Sequence, residues 1–550
     1  MTFHARDEFP VPDDTTRVAR HVYRKGNKYM TIRDNLGLWY RDSRYAELFT
    51  SMRGRLALSP ALLNMVLIIQ FIEGLTDRQV AEEVRGRIDL KYLLGMRLED
   101  PGFEYTILSE HRARLLADDL VAQLFVDMLD HFKTHGLLTA HGKQRTDSTH
   151  VLAAVRSLNR LERVGETMRA VLNVLTELAP QWLLKQIEPD WGDRYGPRFE
   201  QYRLPKKERE REQLAVEIGA DGYHLLSAIF SDTAPGYLRT VELVETMRRL
   251  WIQQYYLEED KVHWRTDKDS PPPGERIQSP YDQDARNRTK RDVNWTGYTV
   301  HLTETCDDEG PNLIVDVQTT DASVVDSEMT PVIHQSLADK DLSPSEHYLD
   351  TGYVEAEHIV TARNEYGIDL VGPVMPDTSR QARQGLGFDQ SCFFIDWEAK
   401  QARCPEGQLS ERWQERKNKA GKDVVHIGFP PLQCHICGRR PDCTNAEVGG
   451  RSLVILAQPE YSILQERRQR QKTEEFKERY HRRAGVEGTI SQGTRSLELR
   501  NARYIGLAKT HFQHVLTVLG MDVARVAVYL EGELKAKTRQ SRFQLLVSAA

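Results

Sequence analysis

The sequence predicts a mixed α/β core, interrupted by a helical and a cysteine-bearing insertion and preceded by an all-α segment. Three observations lead there. The segments WTGYTVHLTET (295–305) and NLIVDVQTT (312–320) alternate in polarity and are rich in β-branched residues, the pattern of strands. EHYLDTGYV (346–354) reads as a further strand, followed by a helix EAEHIVTARNEYG and a strand IDLVGPV; strand–helix–strand order builds an α/β layer. Before residue 139, and from about 462 to the end, the pattern is helical instead.

A chain of 550 residues exceeds what one hydrophobic core organises, so two to four domains are expected. The segment MTFHARDEFPVPDDTTRVAR lacks the apolar centre of a secretory signal. The most apolar run, Leu62 to Ile72, is broken by Asn64 and Gln70 and is too short to span a bilayer. The expectation is a cytoplasmic protein without a membrane segment. The net charge of −6 conceals an uneven distribution: acids gather around Glu304 to Asp326, bases from Arg467 to Lys509. Such a chain can present a basic face to phosphates while being acidic overall.

In chain order, Ser59-Pro60 opens an apolar helix that closes at Gly74, with proline at the favoured first position. Thr76 to Gln79 has capping-box spacing and starts a second helix with Val80 and Val84 on one face. A basic helix follows in ILSEHRARLL, where Arg112 and Arg114 are candidate DNA-groove contacts or a solvated face. Residues 1–138 therefore read as an N-terminal helical DNA-binding domain, with a plain helical bundle as the other reading. Residues 139–152 supply a strand ending at Asp147, although Lys143, Gln144 and Arg145 are polar for a central strand. The first part of the core spans 139–375 and carries a helical insertion over about 157–290, whose SPPPGERIQSP is a loop signal. The cysteine-bearing insertion occupies 376–455, and 456–550 is the C-terminal helical part.

Three carboxylates stand in distinctive settings: Asp147 in RTDSTHV, Asp350 in HYLDTGYV and Glu487 in YHRRAGVEGTISQG. Acids gathered from distant segments raise each other's pKa unless a cation joins them. Hard oxygen ligands of this kind suit Mg²⁺ or Mn²⁺, and two such ions clamp the attacking and leaving oxygens of a phosphodiester displacement. Tyr480, Arg483 and Glu487 are spaced as one helical stripe, provided Gly485 does not break it. Such a stripe offers a metal ligand, an arginine for a neighbouring phosphate and a ring for a sugar or base.

With these motifs the chain resembles a DDE-type transposase of a bacterial insertion sequence. The resemblance rests on DSTHV, LDTGYV, Y-x-x-R-x-x-x-E with GTISQGTR, and LAKTHFQHV, and it covers roughly residues 45–530. It implies an RNase H-like core in which Asp147, Asp350 and Glu487 bind two Mg²⁺ ions and cut double-stranded DNA at transposon ends, the protein acting as a homodimer at the nucleoid. Strand transfer into target DNA would follow at the same site. Many relatives have a lysine seven positions after the glutamate; here that position is Thr494, and Arg495 stands one residue on, about 100° around an ideal helix. Arg483 and Arg495 are thus expected on DNA phosphates, with Tyr480 beside them. A catalytically silent DNA-binding derivative, or an RNase H-like nuclease with another substrate, fits the same residues.

Five of the six cysteines fall between Cys392 and Cys443, a clustering that suggests metal in a reducing compartment. Cys404, Cys434, Cys437 and Cys443 are expected to hold a structural Zn²⁺, with reduced thiols or a redox pair as other readings. Cys392 and His435 are substitute ligands, and Cys306 is remote. Trp295 reads as a core residue or as a platform for an unpaired base.

Overall fold

The computed structural model describes residues 2–49, 56–290, 292–532 and 546–547. A six-stranded mixed sheet forms its centre. Its strands are β1 (Lys143–Leu152), β2 (Arg286–Lys290), β3 (Val293–Thr305), β4 (Ile314–Asp321), β5 (Glu346–Tyr348) and β6 (Asp369–Val371). β3 lies antiparallel to β1, and β2 and β4 share its other edge. β5 and β6 continue the sheet parallel to β1. A helix over Asp326–Asp339 joins β4 to β5, and one over Ala356–Tyr366 joins β5 to β6. An antiparallel meander extended by two parallel strands is the RNase H-like arrangement that the resemblance implied.

Asp147 does not end its strand. β1 runs on to Leu152, because Ser148 to Leu152 keep pairing with β3 from His301 back to Gly297. The polar start of β1 is explained by what it meets. Gln144 is buried and donates to the Leu342 carbonyl at 2.7 Å. Arg145 reaches Glu304 of β3, a carboxylate without solvent exposure, at 2.7 Å. Arg525 binds the other oxygen of Glu304 at 3.0 Å, and the Thr489 hydroxyl donates to it as well. One buried acid thereby joins β1, β3 and the helices Gly485–Leu497 and Leu507–Leu530.

The N-terminal helices follow the sequence signals closely. Pro60–Glu73 is capped by the Ser59 side chain and ends at Gly74 with φ 65°, a left-handed turn that suits glycine. Thr76 and Gln79 form the reciprocal capping box. The polar residues in the apolar run are buried partners: Asn64 pairs with His111 at 2.7 Å, and Gln70 donates to Asp77 at 2.7 Å. Arg112 corrects an expectation. It is buried and salt-bridged to Asp77 at 2.5 Å, so it holds two helices together and cannot face a DNA groove.

The helical region shares one hydrophobic core with the sheet. Leu67, Phe71, Val300, Leu302, Leu516 and Val523 belong to the same buried cluster, with the Leu507–Leu530 helix between the two parts. The helical insertion has its own core, running from Leu161 to Ile277. It ends earlier than position 290, since β2 is already paired to β3 at Arg286. Residues 376–455 contribute a three-stranded sheet, Arg412–Lys417, Asp423–Gly428 and Ser452–Leu456, over a small third core. Among the described residues no single helix is long and apolar enough to cross a membrane.

Two stability tests follow from the core. Replacing Glu304 with alanine strands the buried guanidinium of Arg145 and the half-buried one of Arg525, and a cost of about 3–5 kcal/mol is expected in denaturant unfolding. Asp522 is fully buried, and both its oxygens accept from the Ile314 amide. Burial raises its carboxyl from 3.8 to about 8 against the pull of Arg525. A raised pKa means that the folded state keeps a proton the unfolded chain has lost, so this contribution to stability fades as pH rises towards 8. Asp522→Asn should flatten the melting-temperature profile between pH 4 and 8, whereas an unchanged slope would assign the pH dependence to other groups.

Candidate active site

Asp147 lies mid-strand on β1, Asp350 in the turn just past β5, and Glu487 in the first turn of the Gly485–Leu497 helix. The fold brings all three to one cleft of about 450 Å³. Each is set by local structure. The Ser148 amide donates to Asp147 at 2.8 Å and the Thr351 amide to Asp350 at 2.7 Å, so both aspartates are oriented by their own turn of chain. Glu487 is placed by Gly485, two residues before it. A Cβ at 485 would overlap the guanidinium of Arg145, so only glycine lets the helix start this close to β1.

Arg483 sits among the acids. Its guanidinium binds Asp147 at 2.6 Å and Glu487 at 3.2 Å. Burial pushes the Asp147 carboxyl above its ordinary range; Arg483 draws it back and Asp350 raises it further. Tyr480 stacks on Phe476 with ring centres 5.7 Å apart and borders an adjoining hollow with Arg483. Burial pushes its phenol up to about 12, which keeps the ring neutral. The stripe Tyr480–Arg483–Glu487 survives, but the chain passes through a 3₁₀ turn at His481–Ala484 rather than one continuous α-helix.

Arg495 does not join the site. It is exposed and lies outside the residues that line the cleft. Arg500 lines it instead, donating to the Thr149 hydroxyl at 2.8 Å. The Gly485–Leu497 helix ends at Glu498 in a left-handed conformation, and the chain then returns to β1, where the Leu152 amide donates to the Arg500 carbonyl at 2.7 Å. Arg288, Lys290 and Asp326 also line the cleft without having been read from the sequence. Asp326 accepts from Lys290 at 2.8 Å and from Ser148 at 3.2 Å. Burial works against its ionisation, but Lys290 together with His301 and Arg288 holds the carboxyl below its ordinary range. Trp295 is buried, donates to the Tyr298 carbonyl at 3.0 Å and packs near His150, so it serves as a wall of the cleft.

Among the described residues no three His, Cys, Asp or Glu side chains form a ready-made metal-holding group. In the cleft the positive charge between Asp147 and Glu487 is supplied by Arg483. The donor set still fits a hard divalent cation: carboxylate oxygens from three separate segments, at a place where a cation is already stabilised. Cys404, Cys434, Cys437 and Cys443 line one small cavity in the insertion, away from this cleft. His435 and Cys392 are exposed and take no part in it, and Cys306 is buried against Tyr348 and Val371.

Comparison with known proteins gives two family matches. Residues 403–527 match the family model described as Transposase DDE domain, a span that includes Glu487. Residues 18–114 match the Transposase domain (DUF772) model, which covers the capped helices of the N-terminal region. No curated protein and no solved structure matches. Two transposase family models match towards opposite ends of the chain, with a mixed sheet and an acidic cleft between them, and together they support a DDE-type transposase of an insertion sequence.

Proposed function

We propose that this chain cuts double-stranded DNA at the ends of its mobile element and joins the freed 3′ ends to target DNA, with Mg²⁺ or Mn²⁺ held by Asp147, Asp350 and Glu487. The observation that carries this reading is the convergence of those three acids, from distant parts of the sequence, on one cleft with Arg483 between them. A pair of divalent ions bound there supplies Lewis-acid stabilisation of the charge that develops on the phosphate.

The chain's own groups do the binding and positioning. Four carboxylates (Asp147, Asp326, Asp350, Glu487) face four fixed cations (Arg288, Lys290, Arg483, Arg500) across the cleft, so their charges cancel. Divalent ions held by Asp147, Asp350 and Glu487 would add positive charge to that balance and make the cleft attractive to a polyanion. Lys290 and Arg500 flank the acids and hold the DNA backbone, which fixes register without reading sequence. With the acids committed to metal, Arg483 would serve a phosphate, while Tyr480 packs on a sugar or base. The N-terminal helices bind the element's ends through exposed residues, Arg112 being committed to the fold. Joining two ends requires two copies of the chain on one DNA complex.

Asp147→Ala, Asp350→Ala and Glu487→Ala should each abolish Mg²⁺-dependent nicking of a supercoiled plasmid bearing the element's ends. Gel-shift affinity for end DNA should stay near wild type, because phosphate contacts dominate affinity and metal ligands act on the chemical step. Near-normal nicking by any of the three would remove that residue from the site, and a wild-type chain that binds but never nicks would make it a silent DNA-binding derivative.

Arg483 competes with metal for the same carboxylates. Arg483→Gln should therefore tighten Mn²⁺ binding in calorimetry without DNA by roughly tenfold, the scale of one close charge pair. With DNA present it should make the salt dependence of binding shallower by about one unit and slow cleavage. Arg495→Gln, remote from the cleft, should do neither of the first two.

A further inference from the structure

We propose that the insertion is a zinc-stapled module in which the thiolates of Cys404, Cys434, Cys437 and Cys443 hold one Zn²⁺. Apolar burial does not explain how its outer part keeps its shape. From residue 431 to residue 450 no side chain is buried, and the apolar ones point outwards: Leu432 is 82% exposed, Ile436 86% and Val448 91%. The two short helices in this stretch, Pro431–Ile436 and Arg440–Cys443, bury no residue. A segment without apolar burial does not offset its own ordering entropy. Arg440 ties the stretch to its own carbonyls at Ala446 and Gly449, and three half-buried thiols meet Cys404 from the turn after an edge strand.

The four thiols line a cavity of about 30 Å³, room for one ion or water and no organic ligand. None of the described cysteines is in a disulfide. Backbone amides already point at two of the sulfurs: Gln408 donates to Cys404 at 3.3 Å and Arg451 to Cys434 at 3.4 Å. Four thiolates around Zn²⁺ leave two negative charges in excess, and Arg440 and Arg451 border the same cavity to balance them. Soft sulfur donors in a closed set of four select zinc over the hard cations suited to the acidic cleft. The thiols do not yet form a ligating group, so binding draws them inwards and tightens the turns that carry them. Cys392, hydrogen-bonded to Asp389, stays outside the site.

The test uses the full chain purified under reducing conditions without chelator. Elemental analysis should find about one zinc per chain, and X-ray absorption at the zinc edge should show four sulfur neighbours at about 2.3 Å. Cys434→Ser and Cys437→Ser should retain less than a tenth of the metal, while Cys392→Ser keeps all of it. Removing zinc with a chelator should expose residues 431–450 to limited proteolysis, and adding zinc back should restore protection. A wild-type chain without zinc, an edge spectrum with nitrogen or oxygen neighbours, or equal metal loss in Cys392→Ser would overturn the proposal. The edge spectrum needs only wild type, so a serine variant that fails to fold does not blunt the test. None of these readouts involves DNA, so the result is separable from the reading of the acidic cleft.

Discussion

A buried carboxylate cannot remain ionised in a protein interior unless its charge is met, and Glu304 is met twice. Arg145 and Arg525 bind its two oxygens at 2.7 and 3.0 Å, and Thr489 donates besides. Desolvating three charges is expensive, so this cluster is weak evidence of net stability and strong evidence of geometry. Arg145 lies two residues before Asp147 on the same face of β1, and Thr489 lies two residues after Glu487 on its helix. Arg145 also donates to the Arg482 carbonyl at 2.6 Å, at the entrance to that helix. A displacement of the helix that would carry Glu487 away from Asp147 must first pull apart hydrogen bonds to a buried charge.

The same logic extends outwards with falling strictness. Asp326 is half of a pair with Lys290 and also touches Ser148, so β1, β2 and the Asp326–Asp339 helix meet at the rim of the cleft. Arg483, 14% exposed, spans Asp147 and Glu487 but has other charges within reach, which makes it the replaceable member. Rigid scaffold and exchangeable cation are thus built from the same residue type. What separates them is burial: Arg145 and Arg525 serve an acid sealed from water, Arg483 serves acids that line an open cleft.

Much of this was legible from residues alone, where the signal is local. The helix starts at Ser59 and Thr76 carry their own hydrogen-bonding chemistry, whereas EHYLDTGYV reads as one strand although β5 ends at Tyr348 and leaves Asp350 beyond it. The strand read as ending at Asp147 runs on to Leu152, and its polar start is met far along the chain, Arg145 by Glu304 more than 150 residues away and Gln144 by the Leu342 carbonyl. Arg112 looked like a DNA contact because burial of a charged side chain depends on its partner, Asp77, on another helix. Asp326 reads from sequence only as one of a run of acids, and Pro331 hides the helix it begins. Arg495 is expected from the lysine position after the glutamate in relatives, whereas the left-handed turn at Glu498 brings Arg500 to the cleft instead. The four thiols that line one cavity, Cys404, Cys434, Cys437 and Cys443, are the four expected from their clustering.

The shared core of the N-terminal helices and the Leu507–Leu530 helix has a bearing on how the protein comes into being. During synthesis the Pro60–Glu73 helix emerges early, yet the helix it packs against is made some 450 residues later. At roughly 5–20 residues per second, tens of seconds separate the two. β1 likewise waits for β3 while the whole helical insertion is made, although that insertion can close its own core in the interval. Contacts so distant in sequence form last and slowly. A nascent chain therefore holds neither a finished core nor the helix that bears Glu487, and the cleft assembles only after Arg500 has been made. Under the DNA-cutting activity proposed above, this folding order acts as a safeguard against cutting by unfinished copies.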